Sequence, residues 1–271
     1  NAIVLGSGGG TVSVSGGANS NTLSGNISGT GALTKATGGT LILSGTNTYS
    51  GGSTVSAGTL TVSGGSALAD SGAVSVAGTL NLAASETIGS LSGAGSVTLG
   101  SYTLTTGGAG TSTTFSGALS GTGALVKAGS GTFSLSGSNT YTGATTVSAG
   151  GLTLSGGAAL ADTSALSVTS GSTVTLASSE TVGSLAGAGN VVLGSNTLTA
   201  GGDNGSTSFS GVMSGTGGLG KAGSGTFTLS GTNTYTGATT VSAGELRLGT
   251  DGALADSSAV SVTIGATLRL Q

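Results

Sequence analysis

The sequence predicts an all-β fold: a single-stranded, right-handed parallel β-helix (β-solenoid) with about 15 rungs of 16–22 residues. Three observations predict it. The same eighteen residues recur almost unchanged as LSGTNTYSGGSTVSAGTL at 43–60, LSGSNTYTGATTVSAGGL at 135–152 and LSGTNTYTGATTVSAGEL at 229–246. The runs between them are short, alternate apolar with Ser or Thr, and end in Gly, Asn or Ser. No segment places apolar residues at i, i+3, i+4 and i+7, so no helix longer than one turn is expected.

The long repeat comes first, because internal periodicity decides the architecture. Tyr49, Tyr141 and Tyr235 are spaced by 92 and 94 residues, as are Lys35, Lys127 and Lys221, and Asp70, Asp162 and Asp256. The chain is therefore nearly three tandem copies of a unit of about 93 residues, read as one continuous solenoid over 1–271. A shorter period lies inside it. The first apolar residues of successive strand-like runs are Leu41, Leu60, Leu80, Leu99, Phe115 and Phe133 in one copy, then Leu152, Val174, Leu193, Phe209 and Phe227 in the next. Read this way, each copy holds five rungs, with one two-residue insertion between Leu152 and Val174.

The strands follow from chemistry. GTLIL at 39–43, GTFSLSG at 131–137 and GTFTLSG at 225–231 carry the period-two signature of half-buried strands. Phe227 and Leu229 are expected to face a core, and Thr226 and Thr228 to face water. Gly, Asn and Ser supply bends through positive φ or side-chain-to-backbone hydrogen bonds. Small residues such as Ala149 and Ala243 are expected to fill a narrow interior. A unit of about 20 residues cannot bury its apolar edge alone, and stacking copies buries it. At roughly 4.8 Å per strand, 15 rungs imply a rod about 70 Å long. Parallel connections of this kind favour a right-handed coil.

Composition excludes several function classes. Of 271 residues 58 are Gly and only 5% are charged, with no Pro, Cys, His or Trp. The mean hydropathy of +0.37 argues against a charge-swollen disordered chain. Five basic residues, scattered, leave no face that releases counterions from nucleic acid. The apolar runs are too short for direct membrane insertion as helices. Without Cys and His there are no disulfides, no thiolate metal sites and no imidazole base.

The run GGDNGSTSFSGVMSGTGGLGKAGSGTFTLSGTNTYTGATTVSAGEL (201–246) resembles the passenger-associated transport repeat of bacterial autotransporters. SSETVGSLAGAGNVVLGSNTL (178–198) and ASETIGSLSGAGSVTLGSYTL (84–104) are similar to the segment that precedes it in that family. The resemblance implies a right-handed β-helical passenger, extracellular or on the bacterial cell surface, forming a stalk that assists folding during export through a C-terminal barrel. It brings no catalytic, cofactor or metal residues, so none is expected.

Several side chains invite a functional reading. The tyrosines of NTYSG and NTYTG suggest either a glycan- or protein-binding row or rings covering a corner beside Asn, and the corner is the expected role. Asp70 with Glu86, and Asp162 with Glu180, lie one rung apart and are carboxylate pairs of the kind a glycosidase needs; turn hydrogen bonding by the Asp is the simpler reading, and no enzyme is expected. GGDNGS at 201–206 hints at a calcium loop but reads as a polar turn. Lys35, Lys127 and Lys221 read as edge charges that discourage lateral pairing. Thr103/Thr105, Thr197/Thr199 and Thr226/Thr228 resemble the pairs of an ice-binding face, yet the series is interrupted. Glu245, Arg247 and Asp251 gather where the repeat is least regular, and read as surface ion pairing. The partners expected are the chain itself, by head-to-tail contact with another copy or by continuation of the repeat, and a host or cell-surface glycan or protein.

Overall fold

In the computed structural model, residues 2–249, 252–255 and 258–271 are described. They contain β-strands of two to five residues and no helix. The chain forms two compact units, one ending at Phe133 and one beginning at Ser134.

In the first unit every turn has three sides, and every strand pairs in parallel with the turn before or after it. One side stacks Gly10–Ser13, Leu33–Ala36, Ser53–Val55, Ala73–Val76, Ser90–Gly93 and Thr113–Phe115. The second stacks Ser20–Leu23, Thr40–Leu43, Thr59–Val62, Thr79–Leu82, Ser96–Thr98 and Ala118–Ser120. The third begins with Ile3–Leu5 and Ile27–Gly29, loses its strand character for two turns, and resumes with Glu86–Thr87, Leu104–Thr106 and Leu125–Lys127.

Register follows the alternation. Leu41, Leu60, Leu80, Val97 and Leu119 stand in one column, and all are fully buried. Thr40, Thr59 and Thr79 beside them point outward and are half-buried. Each column continues the core by one strand spacing, so burial comes from stacking rather than from any single turn.

The second unit repeats the plan. One side holds Gly151–Leu154, Thr173–Leu176, Asn190–Gly194 and Met213–Gly215. The next holds Thr145–Val147, Ala165–Val168, Ser184–Gly187, Thr207–Phe209, Thr226–Leu229, Glu245–Leu248 and Thr267–Leu270. The third holds Glu180–Val182, Leu198–Ala200, Leu219–Lys221, Thr239–Val241 and Val260–Val262. Phe227 and Leu229 face inward and Thr226 and Thr228 outward, as the alternation predicts.

The rung count needs correction. Thr145–Val147 and Thr239–Val241 are the same residues one copy apart, yet they belong to different sides. From one to the other the chain lays down fourteen sides, counting the NTYTG and ALAD loops; at three sides per turn that is four and two-thirds turns of about 20 residues. A copy is therefore not five whole rungs, and the described residues make about 13 turns rather than 15. The apolar series slips where it changes side. Phe115 stands opposite Gly93 and not in the column of Leu80 and Val97, and Phe209 stands opposite Leu229 rather than above Val191.

Ala149 and Ala243 are also misplaced by the sequence reading: both are half-exposed at turns, and Leu, Val and Phe fill the interior. Glycine matters most where turns touch. A Cβ on Gly211 would lie 1.7 Å from the carbonyl oxygen of Gly189 on the turn below, so only glycine fits.

Candidate functional site

The polar side chains that recur in each copy point inward, where they complete the backbone hydrogen bonding of neighbouring turns. On the third side of the first unit the strands stop after Ile27–Gly29, although Thr48 N and Ser50 N of the next turn still donate to Ile27 O at 2.8 Å and Gly29 O at 3.0 Å. The Asn47 side chain adds to this sparse main-chain bonding. Its Oδ1 accepts from Ile27 N at 2.7 Å and its Nδ2 donates to Ala67 O at 2.6 Å, so one amide bridges the turns on either side. Glu86 closes the gap from the next turn, accepting from Leu68 N at 2.7 Å and from Ala67 N at 3.3 Å. The second unit repeats these contacts. Asn233 accepts from Met213 N at 2.7 Å and donates to Ala253 O at 2.6 Å; Asn139 donates to Ala159 O at 2.7 Å; Glu180 accepts from Leu160 N at 2.7 Å.

The tyrosines are not corner covers. Tyr49, Tyr141 and Tyr235 are completely buried, and each hydroxyl pairs with a hydroxyl four residues on: Ser53, Thr145 and Thr239 respectively. A phenol is admitted to an apolar interior only with such a partner. Burial pushes the Tyr49 phenol up to about 12, and the Ser53 hydrogen bond partly offsets the shift. The Ser or Thr at the fourth position after each Tyr was the available sequence signal.

The lysines are not edge charges either. Lys35, Lys127 and Lys221 are at most 1% exposed. Lys35 Nζ donates to the carbonyls of Ala36 and Thr37 at 2.8 Å and of Ala57 at 3.1 Å. Lys221 Nζ does the same with Ala222, Gly223 at 2.8 Å and Ala243 at 3.1 Å, and Lys127 Nζ reaches Ala128 at 2.6 Å and Gly129 at 2.9 Å. Each ammonium thus gathers the carbonyls of a tight turn. The residue two after the lysine sits at positive φ in every copy: Thr37 at 64°, Gly129 at 66° and Gly223 at 64°. Burial lowers the pKa of all three amines. Extended backbone around Lys and a polar outer face are visible in sequence; carbonyl oxygens converging from two turns are not.

The carboxylate pairs do not form a joint site. Glu86 and Glu180 are buried against amides, whereas Asp70 and Asp162 are exposed. The hydrogen bonding expected of Asp is carried by Glu from the following turn. Asp256 and Asp251 lie outside the described residues. At GGDNGS the polar-turn reading holds: Asp203 Oδ1 accepts from Gly205 N at 2.8 Å, and Asn204, at φ 61°, accepts from Ser224 N at 2.9 Å. Thr105 and Thr199 stand on outward columns that Val126 and Gly220 interrupt. Glu245 and Arg247 form the expected ion pair at 2.9 Å. Among the described residues no cluster of acids could hold a metal ion.

Burial pushes the Glu86 carboxyl up to about 6, with Asp70 adding to the shift and the two amides opposing it. The Glu180 carboxyl is raised for the same reasons. A pKa raised in the folded state gives stability that is complete below the unfolded value and is lost as pH rises through the folded one. Stability should therefore fall between about pH 4.5 and pH 6, by on the order of 1 kcal/mol from Glu86 after solvent screening. Thermal melts at pH 4.5 and 7 check this: the melting temperature should be higher at pH 4.5, and Glu86→Gln should shrink the difference.

The geometry defines a class of protein: a parallel β-solenoid of internally cross-bridged tandem repeats. Three stretches match the model of the passenger-associated-transport-repeat, at 33–62, 125–157 and 219–248. They contain the lysine cradle, the buried Asn and Tyr, and the strand that follows. No curated protein and no solved structure matches the chain. The chain thus carries three passenger-associated-transport-repeats, a feature consistent with an autotransporter passenger domain.

Proposed function

We propose that this chain is a non-catalytic stalk of a cell-surface passenger, serving adhesion or extracellular assembly. One observation supports it above the others. In the first unit Lys35, Lys127 and Glu86 are all spent on backbone groups, leaving Asp70 as the exposed charged side chain among the described residues. Charge stabilises the stack from within, and the outside is neutral hydroxyl and glycine. Such a face suits a spacer, which must present other parts without competing for ligands. The assembly element rests on the stacking itself: each strand pairs in parallel with the turn beside it, a mode that a further copy could continue. A second copy of this chain is the proposed partner, and head-to-tail contact would propagate rather than close.

Display on bacterial cells tests both elements. With the chain placed between a barrel anchor and an N-terminal tag, the tag should be reachable by antibody-coated beads, and displaying cells should clump with one another. A tag no more reachable than one fused directly to the barrel would remove the stalk reading. Cells that stay dispersed would remove self-contact.

A further inference from the structure

All three lysines are buried, so Arg247 and Arg269 are the cations this chain can offer to a ligand. They stand directly opposite each other on adjacent parallel strands, Glu245–Leu248 and Thr267–Leu270. Their Cα atoms are thus about one strand spacing, roughly 4.8 Å, apart, where like charges repel. Arg247 has Glu245 as partner at 2.9 Å; among the described residues no acid pairs with Arg269.

The placement departs from the repeat. In the preceding copy the matching positions are Thr153 and Thr175, which also stand opposite each other. In the first unit they are Thr61 and Asn81, again in register, with Asn81 Nδ2 donating to Thr61 Oγ1. A neutral pair thus becomes a doubly cationic pair in the third copy alone. Below Arg247 in the same outward column lie Thr228 and Ser208. With Ser206, Thr207, Thr226 and Arg247 itself they line a shallow groove of about 330 Å³.

We infer that this groove and the two arginines bind an anionic glycan, with a carboxylate or sulfate between the guanidinium groups and sugar hydroxyls along the Ser/Thr column. An anion there would relieve the repulsion between the arginines, and the guanidinium fork matches planar carboxylate and sulfate oxygens. Hydroxyl side chains exchange hydrogen bonds with sugar hydroxyls as donor and as acceptor. The inference is independent of the stalk reading, since a spacer works with or without this patch.

Titration calorimetry of the whole chain with heparin, polygalacturonate and dextran tests it. At low salt one or both anionic polymers should bind, and dextran should not; which anionic polymer binds separates sulfate from carboxylate. Affinity should drop steeply between 50 and 500 mM NaCl, as expected of exposed charges. Arg247→Thr/Arg269→Thr, which installs the residues of the preceding copy, should lower affinity at least tenfold. Glu245→Gln, which removes the competing carboxylate, should raise it. Equal binding of dextran, undiminished binding by the double arginine variant, weaker binding by Glu245→Gln, or no binding of either anionic polymer would overturn the proposal.

Discussion

Tyr141→Ala destabilises the chain by about 4 kcal/mol in denaturant unfolding, at the level of the largest core truncations. The ring is completely buried, so its removal leaves a cavity between stacked turns that rigid neighbours cannot collapse into. It also strands the Thr145 hydroxyl, which is buried with the tyrosine as partner. Tyr141→Phe separates the two contributions: it keeps the ring, loses one hydrogen bond, and should cost about 1 kcal/mol. A cost for Tyr141→Ala no larger than that for Tyr141→Phe would mean that the ring lies at an exposed corner after all. Leu135, buried in the same unit, gives the reference: Leu135→Asp places an unpaired charge in the core and should cost at least as much.

Lys221→Met has the second-largest expected effect, a loss of at most about 3 kcal/mol. An ammonium has three protons, and Lys221 spends them on the carbonyls of Ala222, Gly223 and Ala243. Methionine fills the stem's volume but supplies no donor. Three part-buried carbonyls then lose their partner, at about 1 kcal/mol each, while the desolvation of the charge is recovered. Because burial lowers the amine's pKa, that recovery is real, and the net cost stays below the simple sum. Thermal melts of Lys221→Met and Lys35→Met provide the measurement. A melting temperature unchanged in both would show that water reaches these carbonyls.

The two variants mark the boundary of what the sequence makes legible. The strand pattern is legible because it is local: Phe227 and Leu229 alternate with Thr226 and Thr228 within four residues, and burial obeys the alternation. The period of about 20 residues is nearly legible, and the apolar column is right from Leu41 to Leu80 and from Phe227 to Leu268. It fails where counting passes from one side of the turn to another, as at Phe115, because three sides share one alphabet of short apolar runs. The lysines, glutamates and asparagines are illegible for a different reason. Their partners are backbone atoms some 20 residues away, and backbone atoms leave no letter in the sequence. Conventional expectation puts Lys and Glu outside; here the recurring Lys and Glu are buried, and their charges satisfy main-chain groups at the turns.

The fractional turn count has a consequence for avidity. Thr146 and Thr240 are equivalent residues of consecutive copies, yet they stand on different sides of the second unit. Any mark carried once per copy is therefore distributed around the axis, as leaves are around a stem. A flat receptor surface that engages such a mark cannot reach its counterpart in the adjoining copy without wrapping the coil, and simultaneous engagement is the condition for a multivalent gain. Lengthening a chain of this kind by whole copies adds reach without adding grip.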